Sequence, residues 1–359
     1  MTSNSTGPRS SLIRLMRCAA VAGALAAVAA CTPAPKEAAE KYQAVGRIVR
    51  WDAALDELVS SDSRIEKLAE GFTWSEGPAW IAGGEYLLFT DVPENTMYRW
   101  SERDGLSVFL KPSGYDGPDL GVLREPGANG LFAESSEAIL LADSGTRIVA
   151  RLDLATKQKT PVASDFGGQR FNSPNDVIRR TDGRIFFTDP PYGLKDINAS
   201  PVKELKHNGV YRIDPDGTVV LIDDELTFPN GIELSPDERT LYVANSDPER
   251  PIWMAYTLNE RGEVTEKRIF ADVSDLVGPD NPGLPDGMSV AVSGHIFATG
   301  PGGVLVFSPE GKRLGLIATG TAISNCAFGD DGRTLYMTSH NFIARTRVLT
   351  HGVGFPRYQ

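Results

Sequence analysis

The chain is poor in cysteine, in histidine and in positive charge. Its 359 residues include three Cys and four His, and 36 Lys and Arg against 47 Asp and Glu give a net charge of −11. Nucleic-acid binding depends on Lys and Arg that neutralise phosphates, and anionic lipid attracts basic surfaces, so this balance argues against both kinds of partner. No G-x-S-x-G motif occurs, which argues against a hydrolase of the Ser-His-Asp type. We expect each histidine to be structural or exposed: His207, His295, His340 and His351.

Long hydrophobic runs are also scarce, and the clearest one is short. Residues 18–30 are rich in Ala and Val, follow a segment with three arginines, and are too short to span a bilayer comfortably. This pattern predicts a signal peptide over residues 1–30. It ends in Val28-Ala29-Ala30-Cys31, which resembles the lipobox of bacterial lipoproteins and implies cleavage before Cys31 and a lipid on its sulfur. An ordinary secretory signal, cleaved after the A-x-A-like site at 28–30, is the alternative.

The lipobox resemblance also predicts where the protein resides and how the rest of the chain is divided. The protein is expected on the periplasmic side of the bacterial envelope, anchored to the outer membrane because Thr32 rather than Asp follows Cys31. Residues 31–60 are predicted to be a tether and N-terminal extension, 61–350 the folded domain and 351–359 a tail. Cys326 would be the one remaining free thiol, so we expect no intramolecular disulfide and a small buried side chain there.

A short polar-apolar motif recurs six times along the predicted domain. Each copy places Asn, Asp or Glu, often followed by Gly, at the start of an apolar stretch: SEGPAW (75–80), GANGLF (127–132), SPNDVI (173–178), FPNGIE (228–233), LPDGMS (284–289) and ISNCAF (323–328). A β-rich run follows each motif at nearly constant distance, and its landmark residues are Thr90, Ala142, Thr188, Ala244, Thr299 and Thr338. A turn separates motif and run, and two more apolar stretches complete most units.

Four antiparallel strands repeated six times predict an all-β fold, a six-bladed β-propeller. The last repeat lacks an evident fourth strand, and residues 64–68 form an unassigned strand before the first motif. We therefore expect this N-terminal strand to pair into the last blade and close the ring, which also removes free sheet edges. A β-sandwich with incidental similarity would not give six matched spacings.

The repeated polar residue is expected to face the central channel. The strand after each motif is the first of its blade, and in a propeller this strand lines the channel. Pseudo-rotation therefore brings the six polar side chains to one mouth. Two of them are carboxylates, Glu76 and Asp286, and the others are amides. Oxygen donors around two negative charges favour one hard divalent cation, Ca²⁺ first, with Mg²⁺, Mn²⁺ or Zn²⁺ as alternatives. Any single copy, taken alone, is also typical of a turn.

The motifs W-S-E-G-P-A-W, S-P-N-D-V, T-D-P-P-Y-G-L, F-P-N-G-I and L-P-D-G-M resemble the SMP-30/gluconolactonase/luciferin-regenerating family, over about residues 64–348. The resemblance implies a six-bladed propeller with one catalytic divalent ion in the channel, and bacterial gluconolactonases are the most similar members. It implies the metal ligands Glu76, Asn175, Asn230 and Asp286. Asn129, Arg170 and Tyr192 are further candidates for binding the substrate.

The implied reaction is hydrolysis of a small-molecule sugar lactone to its aldonic acid. The cation would bind the lactone carbonyl oxygen, and a water molecule would attack the carbonyl carbon. The resemblance makes Asp286 the general base, while Glu76 is assigned to ligation only. Two alternatives remain at this point: an organophosphate or other ester hydrolase on the same site, and a non-catalytic, calcium-stabilised binding propeller. An open channel mouth would favour an enzyme, and a mouth plugged by side chains would favour a binding protein.

Overall fold

The structure is a computed structural model that describes residues 41–355. The predicted signal peptide, Cys31 and the tether up to residue 40 lie outside the described residues, as do residues 356–359. Between Lys41 and Phe355 no helix is long and apolar enough to cross a membrane.

Six small antiparallel sheets are arranged as the blades of a propeller, as the repeats predict. Blades 1 to 3 contain the strands Ser75–Ile81, Tyr86–Asp91, Thr96–Ser101 and Gly105–Leu110; Leu131–Ala133, Ala138–Asp143, Ile148–Asp153 and Lys159–Ala163; and Val177–Arg179, Ile185–Asp189, Gly209–Ile213 and Val219–Asp223. Blades 4 to 6 contain Pro229–Leu234, Thr240–Asp247, Arg250–Leu258 and Val264–Asp272; Met288–Val290, Ile296–Gly300, Gly303–Phe307 and Arg313–Ala318; and Asn325–Gly329, Thr334–Ser339, Phe342–Arg347 and Ile65–Glu70.

The first strands of the blades form the inner wall of the ring. Each of them contacts the first strand of the blade before it and of the blade after it, including the step from blade 6 back to blade 1. Ile65–Glu70 pairs antiparallel with Phe342–Arg347, so blade 6 combines strands from near both ends of the described chain. The start of every first strand therefore lies at the same mouth of the channel.

The core of the molecule lies between blades. Six clusters of buried hydrophobic side chains each bring together residues of two neighbouring blades, and together they fill all six blade interfaces. At the interface of blades 6 and 1, Trp80 stacks on Tyr336 with ring centroids 5.4 Å apart. Cys326 is buried with 2% exposure and is a free thiol, as expected. Stability therefore rests on packing between blades rather than on cross-links.

The N-terminal extension is more structured than the sequence predicts, because it adds a fifth strand to two blades. Gln43–Val45 pairs with Ile65–Glu70 in blade 6, and Arg47–Arg50 pairs with Arg313–Ala318 in blade 5. Between these strands, Gly46 has a φ of +65°, and a Cβ there would lie 1.9 Å from the Ala318 carbonyl oxygen. The packed domain thus begins at about residue 43 rather than at the predicted boundary of 61.

The C-terminal tail also packs on the propeller as far as it is described. Gly352 forms a bridge with Ala291, and the Val353 amide donates to the Val290 carbonyl at 3.1 Å. Val353 and Phe355 help line a second cavity of about 70 Å³ in the channel, and Asn325 lines this cavity rather than the mouth where the repeat predicts it. This part of the channel is therefore nearly filled.

The remaining elements are short. Among residues 41–355 they comprise the 3₁₀ helices Ala53–Glu57, Ala82–Gly84, Leu120–Val122 and Ile197–Ala199, and the two-stranded hairpin Asp165–Phe166 with Gln169–Arg170.

Candidate metal and substrate site

The motif mouth of the channel opens into a cavity of about 700 Å³. All four predicted metal ligands line this cavity, and so do two of the three predicted substrate-binding residues: Glu76, Asn129, Asn175, Tyr192, Asn230 and Asp286. They come from blades 1 to 5 and from the connections between strands, and only the closed ring makes them neighbours. Below, the metal-ligand set means Glu76, Asn175, Asn230 and Asp286.

Local backbone irregularities aim two of these side chains. The first strand of blade 1 shifts register between Glu76 and Ala79, and that of blade 4 shifts between Pro229 and Ile232. A β-bulge of this kind bends the strand and redirects a side chain away from the regular alternation. Glu76 and Asn230 therefore leave the sheet at its starting end and face the cavity.

Glycine after the polar residue lets neighbouring blades approach closely. A Cβ on Gly231 would lie 2.2 Å from the Asp286 carbonyl oxygen, and a Cβ on Gly77, whose φ is +53°, would lie 2.1 Å from the Asn129 carbonyl oxygen. Any side chain at these positions would force the blades apart. The Gly in the motif thus fixes the distance between successive polar residues.

A hydroxyl from each blade also binds the motif of the next blade. In blades 1, 3 and 5 the donor is the landmark threonine: Thr90 to the Asn129 carbonyl at 3.1 Å, Thr188 to Asn230 at 2.6 Å, and Thr299 to Ser324 at 2.9 Å. In blades 2 and 4 the landmark is Ala, and a serine two residues later donates instead: Ser144 to Pro174 at 2.7 Å, and Ser246 to Pro285. From blade 6, Ser324 donates to the Ser75 carbonyl at 2.6 Å.

We call these six contacts the inter-blade hydroxyl bonds. Each carbonyl that accepts one belongs to a motif residue or to its immediate neighbour in the chain. Because a buried hydrogen bond of this type fixes both position and orientation of the backbone, the six bonds hold the starting ends of the first strands in a common ring. The constant spacing of the landmark residues in the sequence does not predict this role.

The two carboxyl groups of the metal-ligand set line the same cavity, and their charges interact. Burial raises the pKa of the Glu76 carboxyl, and the negative charges of Asp176 and Glu125 raise it further, against a hydrogen bond from the Gly77 amide. Burial and the charge of Glu76 likewise raise the pKa of Asp286 well above its usual value. Uncompensated negative charge at this mouth is costly.

The donor chemistry of the metal-ligand set fits a hard divalent cation. Two carboxylates and two amide groups face one cavity, and carboxylate and amide oxygens are the ligands that Ca²⁺ takes in proteins. A cation would also offset the mutual repulsion of Glu76 and Asp286. Between Lys41 and Phe355 no group of three or more His, Cys, Asp and Glu suited to a metal occurs, so amide ligands are required for such a site.

The cavity wall includes an ion pair that sequence reasoning missed. Arg124 Nη2 lies 2.7 Å from Glu125 Oε1, and both residues line the cavity together with Trp74. They stand at positions 124 and 125, just before the second motif, and their amides donate to the Gly193 carbonyl. The adjacent opposite charges before GANG could have indicated this pair. These loop residues have no counterpart in the other repeats, however, so the sequence does not predict which way their side chains point.

Of the predicted substrate-binding residues, Tyr192 lines the cavity and Arg170 does not. Tyr192 lines the cavity, where its ring stacks on Phe228 at a centroid distance of 5.6 Å, and burial and the charge of Asp286 raise its pKa. Arg170 is exposed in the hairpin, where its guanidinium donates to the Thr146 carbonyl, and it does not line the cavity. None of the four histidines lines the cavity either, which agrees with their expected structural or exposed roles.

Comparison with known proteins gives the family. Residues 74–341 match the SMP-30/Gluconolactonase/LRE-like region, and the chain belongs to this family. A gluconolactonase from Zymomonas mobilis is 42% identical over 312 residues, which cover 86% of this chain and 88% of that protein. A pentonolactonase from Haloferax volcanii is 27% identical and covers 74% of this chain and 80% of its own length. The structure of a gluconolactonase from Xanthomonas campestris superposes with a TM-score of 0.73 at 31% identity, covering 86% and 97% of the two chains.

Proposed function

We propose that this protein hydrolyses sugar lactones to aldonic acids. The reaction would use one divalent cation, with Ca²⁺ as the preferred ion, held by the metal-ligand set. The observation that carries the proposal is the open cavity of about 700 Å³ on whose wall all four members of the set converge. Its volume lies in the range of small-molecule sites, and its mouth is not plugged by side chains. The activity of the Zymomonas and Xanthomonas relatives supports the same reaction class.

The polar wall of the cavity suits a polyhydroxylated ring. Asn129, Arg124 and Glu125 offer donors and acceptors for hydroxyl groups, and Trp74 offers a flat apolar surface beside them. Tyr192 has a raised pKa, so its hydroxyl stays protonated at neutral pH, and this hydroxyl is hydrogen-bonded to Ser246 on the same wall. These groups would hold the sugar ring while its ester bond faces Glu76 and Asp286.

The two carboxylates have different roles in the proposed reaction. When bound, the cation would polarise the lactone carbonyl and stabilise the negative charge that develops on its oxygen. Asp286, the residue to which the family resemblance assigns the general base, would accept the proton of the attacking water molecule, and its carboxylate lines the cavity. Glu76, which accepts the Gly77 amide at 3.0 Å, would hold the cation without transferring a proton.

The test is a pH-indicator assay with a panel of aldonolactones and one phosphotriester, run before and after chelation and after Ca²⁺ is restored. The proposal predicts hydrolysis of at least one aldonolactone, loss of that activity on chelation and recovery with Ca²⁺. Activity that is unaffected by chelation would contradict the metal dependence. Hydrolysis of the phosphotriester and of none of the aldonolactones would contradict the lactonase proposal and support the organophosphate hydrolase instead.

A further inference from the structure

Ser246 makes a contact that the other serines of the inter-blade hydroxyl bonds do not make. It lies near the end of Thr240–Asp247, the second strand of blade 4, and lines the cavity. Its Oγ is within hydrogen-bonding distance both of the Pro285 carbonyl oxygen and of Asn230 Nδ2, the latter at 2.9 Å, and the Tyr192 hydroxyl is a further hydrogen-bond partner. Its own amide donates to the Phe228 carbonyl at 2.9 Å, which fixes the residue in place.

The proton count of this network fixes which atom of the Asn230 amide faces the cavity. A serine hydroxyl has one hydrogen to donate, and a carbonyl oxygen can only accept. The Ser246 hydrogen is therefore committed to the Pro285 carbonyl, and Ser246 Oγ has only acceptor capacity left for Asn230 and for the Tyr192 hydroxyl. The Asn230 amide must then direct its NH₂ group at Ser246, which leaves Oδ1 for the cavity.

The same hydroxyl also ties two members of the metal-ligand set together. Pro285 is joined directly to Asp286, so the bond from Ser246 anchors the backbone that carries this carboxylate. Asn230 belongs to blade 4 and Asp286 to the approach to blade 5. One side chain thus orients the amide from one blade and holds the backbone of its neighbour from the next.

We propose that Ser246 is a positioning residue of the metal site, which presents Asn230 Oδ1 to the cation while holding Asp286 in register. This inference rests on the proposed function, since it concerns the ion assigned there. Loss of groups that orient metal ligands weakens metal affinity about 10–100-fold. An amide is especially sensitive because only one of its two terminal atoms can bind a cation.

Ser144 offers a matched control within the same chain. It occupies the equivalent place in blade 2, two residues after the landmark Ala142, and donates to the Pro174 carbonyl that precedes Asn175. Among the hydrogen bonds of the described residues, Ser144 Oγ has this backbone contact and none to an amide side chain of the set. Ser144→Ala therefore removes an inter-blade hydroxyl bond without removing the orientation of an amide.

The experiment measures Ca²⁺ affinity by calorimetry, with Ca²⁺ alone as the probe, for the full-length protein and the variants S246A, S144A, N230D and S246A/N230D. We expect S246A to weaken binding at least about tenfold and S144A to weaken it less. In the N230D background, S246A should weaken binding no more than S144A does in the wild type, because only the backbone bond to Pro285 is then lost and no amide needs orienting. Melting temperatures in chelator show whether each variant is folded.

The outcomes separate this inference from the proposed function. Suppose that the wild type binds Ca²⁺ and that S246A and S144A weaken binding equally, or that S246A weakens binding as much in the N230D background as in the wild-type background. Either result would overturn the positioning role and leave the metal site intact. Lactone hydrolysis without any Ca²⁺ binding in the wild type would overturn the metal site, and the role of Ser246 with it, while lactone hydrolysis would stand.

Discussion

At the scale of single residues, the acidic side chains of Glu76, Asp176 and Asp286 divide into two groups. Glu76 and Asp286 face the large cavity. Asp176, one residue after Asn175, faces the opposite side, where its two oxygens accept the amides of Val177 at 2.9 Å and Ile232 at 3.2 Å. Asp176 is therefore committed to the backbone of two blades, and the chemistry is left to Glu76 and Asp286.

The proposed division between these two carboxylates predicts different kinetics for their amide variants. Asp286→Asn keeps the shape of the side chain but removes a proton acceptor, so turnover should fall about 10²–10⁴-fold and stay low at saturating Ca²⁺. Glu76→Gln removes charge from the ligand set only, so its loss of activity should be largely restored by high Ca²⁺. The measurement is kcat against Ca²⁺ concentration for both variants, with melting temperature as the check on folding.

Equal recovery of both variants at high Ca²⁺ would remove Asp286 from proton transfer. Equal failure of both would show that the charge of Glu76 is needed for more than binding the ion. The comparison depends on the two residues lining the same cavity from different blades, so that each change is local.

Much of the site was accessible from the sequence because it repeats. Asn175, Asn230 and Asp286 each stand at the same place in a recurring motif, and rotational pseudosymmetry converts that place into a shared direction. Arg124 and Glu125 lie in a loop with no counterpart in other blades, so their contribution to the wall required coordinates. The same is true of Arg170, whose direction within its hairpin the spacing does not determine.

At the scale of elements, blades 5 and 6 differ from the other four blades because each has a fifth, outer strand. The segment from Gln43 to Glu57 provides two edge strands and a 3₁₀ helix. Leu55 in that helix has no exposed surface and belongs to the hydrophobic cluster between blades 5 and 6. Asp52 caps the helix by accepting the Ala54 amide at 2.9 Å. This segment is therefore part of the folded domain.

Leu55→Ala should accordingly lower the free energy of unfolding by about 2–5 kcal/mol, the cost of a cavity at a fully buried site. Trp51→Ala is the matched control, because Trp51 is 44% exposed and its loss should change stability little. Both variants should bind Ca²⁺ as the wild type does, since neither residue lines the large cavity. Denaturant unfolding and calorimetry measure the two properties. A stability of Leu55→Ala equal to that of Trp51→Ala would contradict the packing role of the segment.

The sequence predicts the blades better than it predicts these outer strands, for a physical reason. Inner strands carry short continuous apolar runs, such as the IFF that begins Ile185–Asp189, because both of their faces are buried. Arg47–Arg50 is four residues long, has a charged residue at each end and pairs along one edge only. Its strand state depends on the partner Arg313–Ala318 rather than on its own pattern, and a pattern search therefore misses it.

At the scale of the whole molecule, the two cavities of the channel differ. One is open, has a volume of about 700 Å³ and is lined by the metal-ligand set, and the other has a volume of about 70 Å³ and is lined in part by Val353 and Phe355. Inter-blade packing and the inter-blade hydroxyl bonds hold the open end without any disulfide in the described residues. The ring thus acts as a rigid frame that places side chains from distant parts of the chain around one point.

The most direct test of this arrangement is a crystal structure of the protein grown with Ca²⁺, with anomalous scattering used to locate the ion. We predict one strong peak at the open mouth, with an oxygen of Glu76, Asn175, Asn230 and Asp286 each about 2.3–2.6 Å away. A peak bound by other residues, or full-occupancy Ca²⁺ with any of these four side chains turned away from it, would contradict the account.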